Sequence, residues 1–429
     1  MKTLVLLAGR SRRFWPLSEK ALWPFMGKPL LTHQLARMNE GGLTDITFVG
    51  GHHNLETIYS LMPNVPSIEQ EDLEDGMRGA LLSALPQLKA DSVCIVSSND
   101  VIEPEGYKML FEASQKEGVD GAILAQRVKR HFPGGYLVTS PGEEGKEHPR
   151  VAGVVEKPEE GREPSDLVNI VAHVHNNPAK LLDILEDVSS DRDDAYEVAL
   201  TKLCKELNYV AVPYEEKWNA VKYPWQILDV TERFLSNIKE SNKAEVHPSA
   251  VIEGPVILEE GVKILPHATV KGPCYIGKDT IIGNNCLIRD SIIGEKCVIG
   301  FGSEIARSNL HSNIWTHSTY LGDSVIGHNT AFGAGSTAAN FRLDEGEINS
   351  VVKEKKLGTQ RTKLGAMVGD NVRCGVQTVF SPGVKVGQGS FINSAVSVTR
   401  DVKENKYVTV EEGVLEEREN KANPPTARS

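Results

Sequence analysis

Residues 368–398 read VGDNVRCGVQTVFSPGVKVGQGSFINSAVSV, and their apolar anchors Val368, Cys374, Phe380, Val386, Ile392 and Val398 return every six positions. The same spacing joins Ile282 to Ile288 and, after one residue is dropped, Ile293, Ile299 and Ile305. Glycine usually follows the anchor, as in Ile276-Gly277, Ile282-Gly283, Ile293-Gly294, Ile299-Gly300 and Ile326-Gly327. A six-residue period is too long for a helix face and too regular for ordinary strands. It predicts a hexapeptide β-helix in which three hexads form one triangular coil. The repeat runs over 246–400, within a domain expected over 246–410, and is interrupted at 341–364, a charged stretch without hexad register that reads as a projecting loop or hairpin.

The rest of the chain has a different grammar. Lys2–Ala8 reads as a buried strand, Leu30–Asn39 as a helix, Asp45–Val49 as a second strand, 76–88 as a helix and Ser92–Ser97 as a third strand ending at Asn99-Asp100. Strands alternating with helices predict an α/β domain over 1–235, whose ligands bind beyond the carboxyl ends of the strands. Trp225–Asn242 carries a helical pattern (Ile227, Val230, Phe234, Ile238) that bridges to a linker at 236–245. The tail, 411–429, is charged, contains Asn423-Pro424-Pro425 and is expected to be disordered.

With 429 residues, 40% of them apolar and 24% charged, the composition is that of a soluble globular protein of two or three domains. A formal charge of −11 argues against a nucleic-acid partner. The six cysteines are dispersed, with no Cys-x-x-Cys pair, so they read as small buried hydrophobes rather than zinc ligands. The apolar run Leu4-Val5-Leu6-Leu7-Ala8 is too short for a signal peptide and is followed by Arg10, Arg12 and Arg13. No stretch approaches the ~20 apolar residues of a membrane span. These features point to a cytoplasmic protein without membrane contact.

Two places carry chemistry. Gly9-Arg10-Ser11-Arg12-Arg13-Phe14-Trp15-Pro16-Leu17 follows the first strand directly, with Lys20 shortly after. Such a loop can offer backbone N–H groups to phosphates and Arg side chains to their charge, although solvated basic loops are common. Asp100, ending the third strand, stands where a carboxylate can hold Mg²⁺ together with phosphate oxygens, or where it simply serves a turn. In the repeat, His247, His267 and His328 read as corner residues, whereas His317 sits in His317-Ser318-Thr319-Tyr320-Leu321-Gly322-Asp323, before Phe332-Gly333-Ala334-Gly335-Ser336-Thr337-Ala338-Ala339-Asn340.

Taken together, Leu7-Ala8-Gly9, Arg13, Pro16-Leu17, Lys20, Gly27-Lys28-Pro29-Leu30, Gln70, Gly76, Asn99-Asp100, Gly135, Glu156-Lys157-Pro158, Asn169 and Pro224-Trp225 resemble the sugar-1-phosphate nucleotidyltransferases. The resemblance implies a Rossmann-like domain with a mostly parallel sheet. By it, Gly9 and Arg13 handle the triphosphate of UTP or dTTP and Lys20 contacts phosphates in the transition state. Gln70 and Gly76 contact the pyrimidine, Gly135, Glu156 and Asn169 hold sugar hydroxyls, and Lys157 lies near the sugar phosphate. Asp100 binds Mg²⁺, with the second ligand near Trp218-Asn219-Ala220: register from Pro224-Trp225 gives Ala220, and a one-residue shift gives Asn219. The chain departs from the family pattern at Ser11, Arg12, Glu19, Asn99 and Met77-Arg78-Gly79.

The segment around His317, with Lys363-Leu364-Gly365-Ala366-Met367-Val368-Gly369-Asp370 and Ser381-Pro382-Gly383-Val384-Lys385, resembles the acetyltransferase half of archaeal-type bifunctional N-acetylglucosamine-1-phosphate uridyltransferase/glucosamine-1-phosphate acetyltransferases. This implies a left-handed parallel β-helix that forms homotrimers. His317 would take a proton from a sugar amine as the amine attacks acetyl-CoA, a task suited to an imidazole. Tyr320 and Asn340 would contact the acceptor, Ala334 would line the thioester pocket, and Arg342 and Lys363 are candidates for neutralising phosphate or CoA. Two other functions fit the sequence: a monofunctional nucleotidyltransferase with a β-helix used only for assembly, and a regulatory subunit that binds nucleotide sugars without turnover.

Overall fold

In the computed structural model, which describes residues 1–143, 146–190, 194–411 and 414–420, the chain divides into two compact units. Residues 1–10 and 31–220 form the first, and 11–30 and 221–429 the second.

The first unit is built on nine strands: β1 (Lys2–Leu6), β2 (Ile46–Gly50), β3 (Ser67–Glu69), β4 (Val93–Ser97), β5 (Gly121–Arg127), β6 (Gly135–Thr139), β7 (Val151–Glu156), β8 (Leu167–His175) and β9 (Tyr209–Tyr214). β4, β1, β2 and β3 are consecutive parallel neighbours, as buried runs such as Leu4-Val5-Leu6 and Cys94-Ile95-Val96 dictate, since a strand covered on both faces needs no polar alternation. β8 runs antiparallel to β4, β5 and β6, and β9 is parallel to β5. The principal helices are α1 (Leu30–Glu40), α2 (Leu55–Leu61), α3 (Gly76–Ala84), α4 (Pro104–Ser114), α5 (Pro178–Asp187) and α6 (Ala195–Glu206). Leu81, Ala84, Leu181, Leu185, Leu200 and Leu203 from α3, α5 and α6 join Leu4, Val93, Ile95 and Ile123 of the sheet in one core.

The second unit is a parallel β-helix. Its short strands stack in three sheets of eight, ten and eight strands, and equivalent positions in successive coils pair in register. One ladder runs Val270, Ile288, Ile305, Leu321, Ala338, Phe380, Val398. Each of these, like each hexad anchor named above, is buried in the central core. The corners are tight: His267, Asp279, Asn285, Asp290, Arg307, Asn313, Asp323, Asn329 and Asn371 all hold positive φ. Asn and Asp, frequent there, tolerate that conformation best among residues with side chains. The interruption is an antiparallel hairpin of Asn349–Val352 with Lys355–Gly358. Cys274, Cys286, Cys297 and Cys374 pack in the core, and all six thiols are free and buried.

Three segments differ from expectation. The bridging helix is α7, Ile227–Leu235, and it stops well short of Asn242. Ser236-Asn237 favours a helix end, and Ser241–Asn242 already pairs with Ile257–Leu258 as a β-helix strand. Val414–Glu419, expected in the disordered tail, pairs antiparallel with Lys406–Glu411, and the ion pair of Lys406 with Glu419 spans the two strands. The end of the expected tail, 421–429, lies outside the described residues. Third, residues 11–30 belong to the β-helix unit: Trp23 Nε1 donates to Asn309 Oδ1 at 3.0 Å, and Asn309 Nδ2 donates to Thr231 Oγ1 of α7 at 2.9 Å. Among the described residues no helix is long and apolar enough to cross a membrane.

If the ladder holds the second unit together, Ile305→Ala lowers stability by about 2–5 kcal/mol through loss of burial and an unfilled cavity. Exposed Val251→Ala, in the same sheet, should change it by about 0.5 kcal/mol or less. Denaturant unfolding of the two variants checks the contrast, and equal effects would contradict it.

Candidate active sites

Gly9, Gln70 and Asp100 follow the carboxyl ends of the parallel strands β1, β3 and β4. A Cβ on exposed Gly9 would meet nothing within 4 Å, so its backbone is open to a ligand. Gln70 is buried, and its Nε2 donates to the carbonyls of Asp72 at 2.6 Å and Gly76 at 2.9 Å. Both amide hydrogens are committed, leaving the carbonyl oxygen as the polar atom that a ligand could address. Gly76 holds φ +54 where α3 begins, a conformation that favours glycine. Gly79, which the sequence marks as a departure from the family pattern, makes room for the Gln70 amide. A Cβ there would lie 2.7 Å from both Gln70 Nε2 and the Asp72 carbonyl, so any side chain would displace the amide. Its other signal was a glycine inside a helix, where it costs ~1 kcal/mol relative to alanine. Arg78 uses its guanidinium on Asp75 at 2.6 Å and on the Leu185 carbonyl at 2.8 Å.

Asp100 is 6% exposed, and its Oδ1 accepts from Trp218 Nε1 at 2.8 Å. Asp100-Val101 pairs antiparallel with Asn219-Ala220, Ala220 opposite Asp100 and Asn219 opposite Val101. Opposed residues share a face and successive residues alternate. The register therefore puts Ala220 on the face of Asp100 and Asn219 on the other. No group of three His, Cys, Asp or Glu able to hold a metal occurs among the described residues. A single buried carboxylate fits Mg²⁺, which completes its shell with phosphate oxygens and water, and does not fit a metal caged by protein alone.

The expected sugar residues converge. Gly135 on β6 pairs directly with Glu156 on β7, and a Cβ at Gly135 would lie 2.8 Å from Glu156 Oε2 and 3.7 Å from Asn169 Cβ. Glu156 is paired with Lys157 Nζ at 2.6 Å. A register shift in β8 between Asn169 and His173 sets the direction of Asn169, whose Oδ1 lies 2.8 Å from His173 Nε2. His173 and His175 are fully buried, and burial pushes both imidazoles down to about 3.

Arg13 and Lys20 lie in the 11–30 segment of the second unit. Lys20 opens a single 3₁₀ turn capped by Glu19, which also accepts from Ser11 Oγ at 3.1 Å. Ser11, one of the departures from the family pattern, holds φ +49 in the left-handed region.

On the β-helix, His317 is an exposed corner residue. A Cβ at Gly300, one coil away, would lie 2.9 Å from His317 Nδ1, so that glycine makes the seat of the ring. Ala334 stands exposed at the next coil's corner, where Gly335 N donates to the His317 carbonyl at 3.2 Å. Among the described residues the His317 ring has no hydrogen-bond partner. Tyr320 Oη and Asn340 Nδ2 converge over Gly322, where a Cβ would collide with both, the amide at 2.8 Å. Asn340 Nδ2 donates to Asp323, which is 4% exposed and takes a two-pronged pair from Arg307 at 2.8 and 2.7 Å. Asp323 pushes the Arg307 guanidinium further up. Arg307 was not expected, and its signal was a charge recurring at one corner, Asp290, Arg307, Asp323. These three border a cleft of about 380 Å³ with Leu228, Leu235 and Arg361. Arg342 pairs its fork with Asp344, and Lys363 pairs its backbone with Phe341.

Residues 3–234 match the model of the MobA-like NTP transferase domain, and 234–355 match that of the GMPPB C-terminal domain. The chain is 31% identical over 418 residues to the bifunctional sugar-1-phosphate nucleotidylyltransferase/acetyltransferase of Sulfurisphaera tokodaii, spanning 96% of this chain and 100% of that protein. It is 29% identical over 418 residues to the bifunctional protein GlmU of Methanocaldococcus jannaschii, spanning 95% of this chain and 97% of that one.

The buried imidazoles set an acid limit. An unfolded chain protonates them near 6.5, whereas the folded one holds both neutral down to about 3. In that window the unfolded state binds more protons, so stability falls as pH drops below about 6.5, by roughly 2 kcal/mol per imidazole at pH 5. Urea unfolding of the first unit at pH 7 and pH 5 measures this, and equal stabilities would contradict it.

Proposed function

The chain belongs to the family of bifunctional sugar-1-phosphate nucleotidylyltransferase/acetyltransferases, and we propose that it carries out both transfers at two separate sites. The α/β unit would transfer a nucleotidyl group from UTP or dTTP to a sugar 1-phosphate. The β-helix would acetylate glucosamine 1-phosphate from acetyl-CoA. The observation that carries this reading is convergence: Gly135, Glu156 and Asn169 gather from three strands, and Tyr320 and Asn340 meet over Gly322 in the coils that bear His317.

In nucleotidyl transfer the open backbone at Gly9 would meet the triphosphate, and the family resemblance gives Arg13 the triphosphate and Lys20 the phosphates of the transition state. The Gln70 carbonyl accepts from the N3–H of uracil or thymine. Cytosine has no such hydrogen, which favours UTP or dTTP. Mg²⁺, held by Asp100 with phosphate oxygens, would supply charge neutralisation. A sugar-phosphate oxygen attacks the α-phosphorus and pyrophosphate leaves. The protein's share is alignment and charge, without a covalent intermediate. Gly135, Glu156 and Asn169 would fix the sugar hydroxyls, and Lys157 the sugar phosphate.

In acetyl transfer, neutral His317 would take a proton from the amine as its nitrogen attacks the thioester carbon, and the CoA thiolate leaves. Tyr320 and Asn340, braced by Asp323 and Arg307, would hold the acceptor, and Ala334 leaves room for the thioester. A solitary His317 ring suits a site completed by another copy of the chain. Exposed Phe301, Phe341, Leu343 and Val379 offer an apolar surface for that copy, and a homotrimer is the assembly we favour. Six free buried thiols suit the reducing cytoplasm.

Asp100→Ala is expected to lower Mg²⁺-dependent pyrophosphate release by about 100-fold or more while leaving CoA release within about 2-fold, and His317→Ala should do the reverse. Loss of both activities from either folded variant would contradict the two-site reading. Absence of acetyl-CoA-dependent thiol release in the wild type would leave a nucleotidyltransferase with a structural β-helix.

A further inference from the structure

Behind Asn169 lies an unbroken line of buried polar groups with no place in the reaction as described. His173 Nε2 is 2.8 Å from Asn169 Oδ1, and His173 Nδ1 is 2.7 Å from Tyr196 Oη. Tyr196 Oη is 3.1 Å from His175 Nε2, and His175 Nδ1 is 2.7 Å from Tyr209 Oη. All four ring residues are at most 1% exposed, and His173 stacks on Tyr196 with ring centroids 5.6 Å apart.

We propose that the chain Tyr209–His175–Tyr196–His173 is a positioning device that locks the Asn169 side chain with its NH₂ group presented to a hydroxyl of the bound sugar. The inference rests on the assignment of Asn169 to the sugar site. Its direction follows from hydrogen-bond arithmetic. Burial keeps both imidazoles neutral, so each has one N–H and one lone pair. Among the described residues Tyr209 Oη has a single partner, His175 Nδ1. Tyr209 must donate there, or its hydroxyl hydrogen is left unsatisfied in the interior. His175 Nε2–H then donates to Tyr196, Tyr196 donates to His173 Nδ1, and His173 Nε2–H donates to Asn169 Oδ1. The opposite direction would make Asn169 Nδ2 the donor to His173 and turn Oδ1 toward the sugar, reversing what the site recognises. A hydroxyl separated from the ligand by four residues thus selects between two amide orientations of similar shape. Substrates that offer a hydroxyl oxygen as acceptor at that position are favoured over deoxy analogues.

Long-range ¹H–¹⁵N spectra of the full-length protein labelled with [¹⁵N]histidine read the direction without any substitution. Both His173 and His175 are expected as Nε2–H tautomers, and Nδ1–H at either overturns the proposal. Kinetics then tests its consequence. Tyr196→Phe keeps the ring and removes the central hydroxyl. It should raise the KM for sugar 1-phosphate about 3- to 10-fold while the KM for the nucleoside triphosphate stays within about 2-fold. In an Asn169→Ala background the same change should add nothing. An additive or absent effect of Tyr196→Phe, with Asn169→Ala effective alone, overturns the positioning role. An Asn169→Ala variant with unaltered sugar KM would instead sink the sugar-site assignment, whatever the tautomers.

Discussion

Register between successive coils is the constraint on which the second unit depends. An apolar anchor can be buried only if it lies directly over the anchor of the coil beneath, so the chain advances by one fixed increment per turn. Once the anchors are in register the corners are too. Gly300, His317 and Ala334 fall at one edge, and Asp290, Arg307 and Asp323 at another. A packing rule for isoleucines and valines thereby delivers an imidazole, a gap for its ring and a braced arginine to fixed places. Positions built on such a stack hold side chains more tightly than loops do, which is what transfer between two bound substrates requires.

The first unit reaches precision by omission. At Gly79 and Gly135, as at Gly322 in the second unit, the missing Cβ is the space that an amide, a carboxylate or a hydroxyl occupies. Gly79 makes that room for the Gln70 amide, Gly135 for the Glu156 carboxylate, and Gly322 for Tyr320 Oη and the Asn340 amide. Gln70 and Asn169 are the clearest beneficiaries. Each is an amide whose two ends look alike in outline but differ in hydrogen bonding, and each is held by partners that fix which end is presented.

Much of this was legible in the sequence because it rests on periodicity. The hexads foretold the core of the β-helix and the burial of Cys274, Cys286, Cys297 and Cys374, and their lapse marked a loop or hairpin, which proves to be a hairpin. The alternation of strands and helices put Gly9 and Asp100 at strand ends, whereas the short strand before Gln70 was not foreseen. What could not be read depends on register and on contacts distant in sequence. Whether Asn219 or Ala220 faces Asp100 turns on a single residue of offset, and only the pairing decides it. The allegiance of residues 11–30 to the β-helix depends on Trp23 meeting Asn309, far along the chain. The terminal strand was hidden because charge composition suggested disorder, whereas opposite charges across a hairpin hold it. Arg307 escaped because a charged corner reads as solvated until Asp323 is found beneath it.

The central claim is that two sites on one chain act on one sugar in turn. The direct measurement supplies the purified protein with glucosamine 1-phosphate, acetyl-labelled acetyl-CoA, UTP or dTTP and Mg²⁺, and follows the label by mass spectrometry. The account predicts a nucleotide-linked N-acetylamino sugar carrying the label. A product that forms only when the acetylated sugar phosphate is supplied ready-made, or an acetylated sugar phosphate that never acquires a nucleotide, would contradict it.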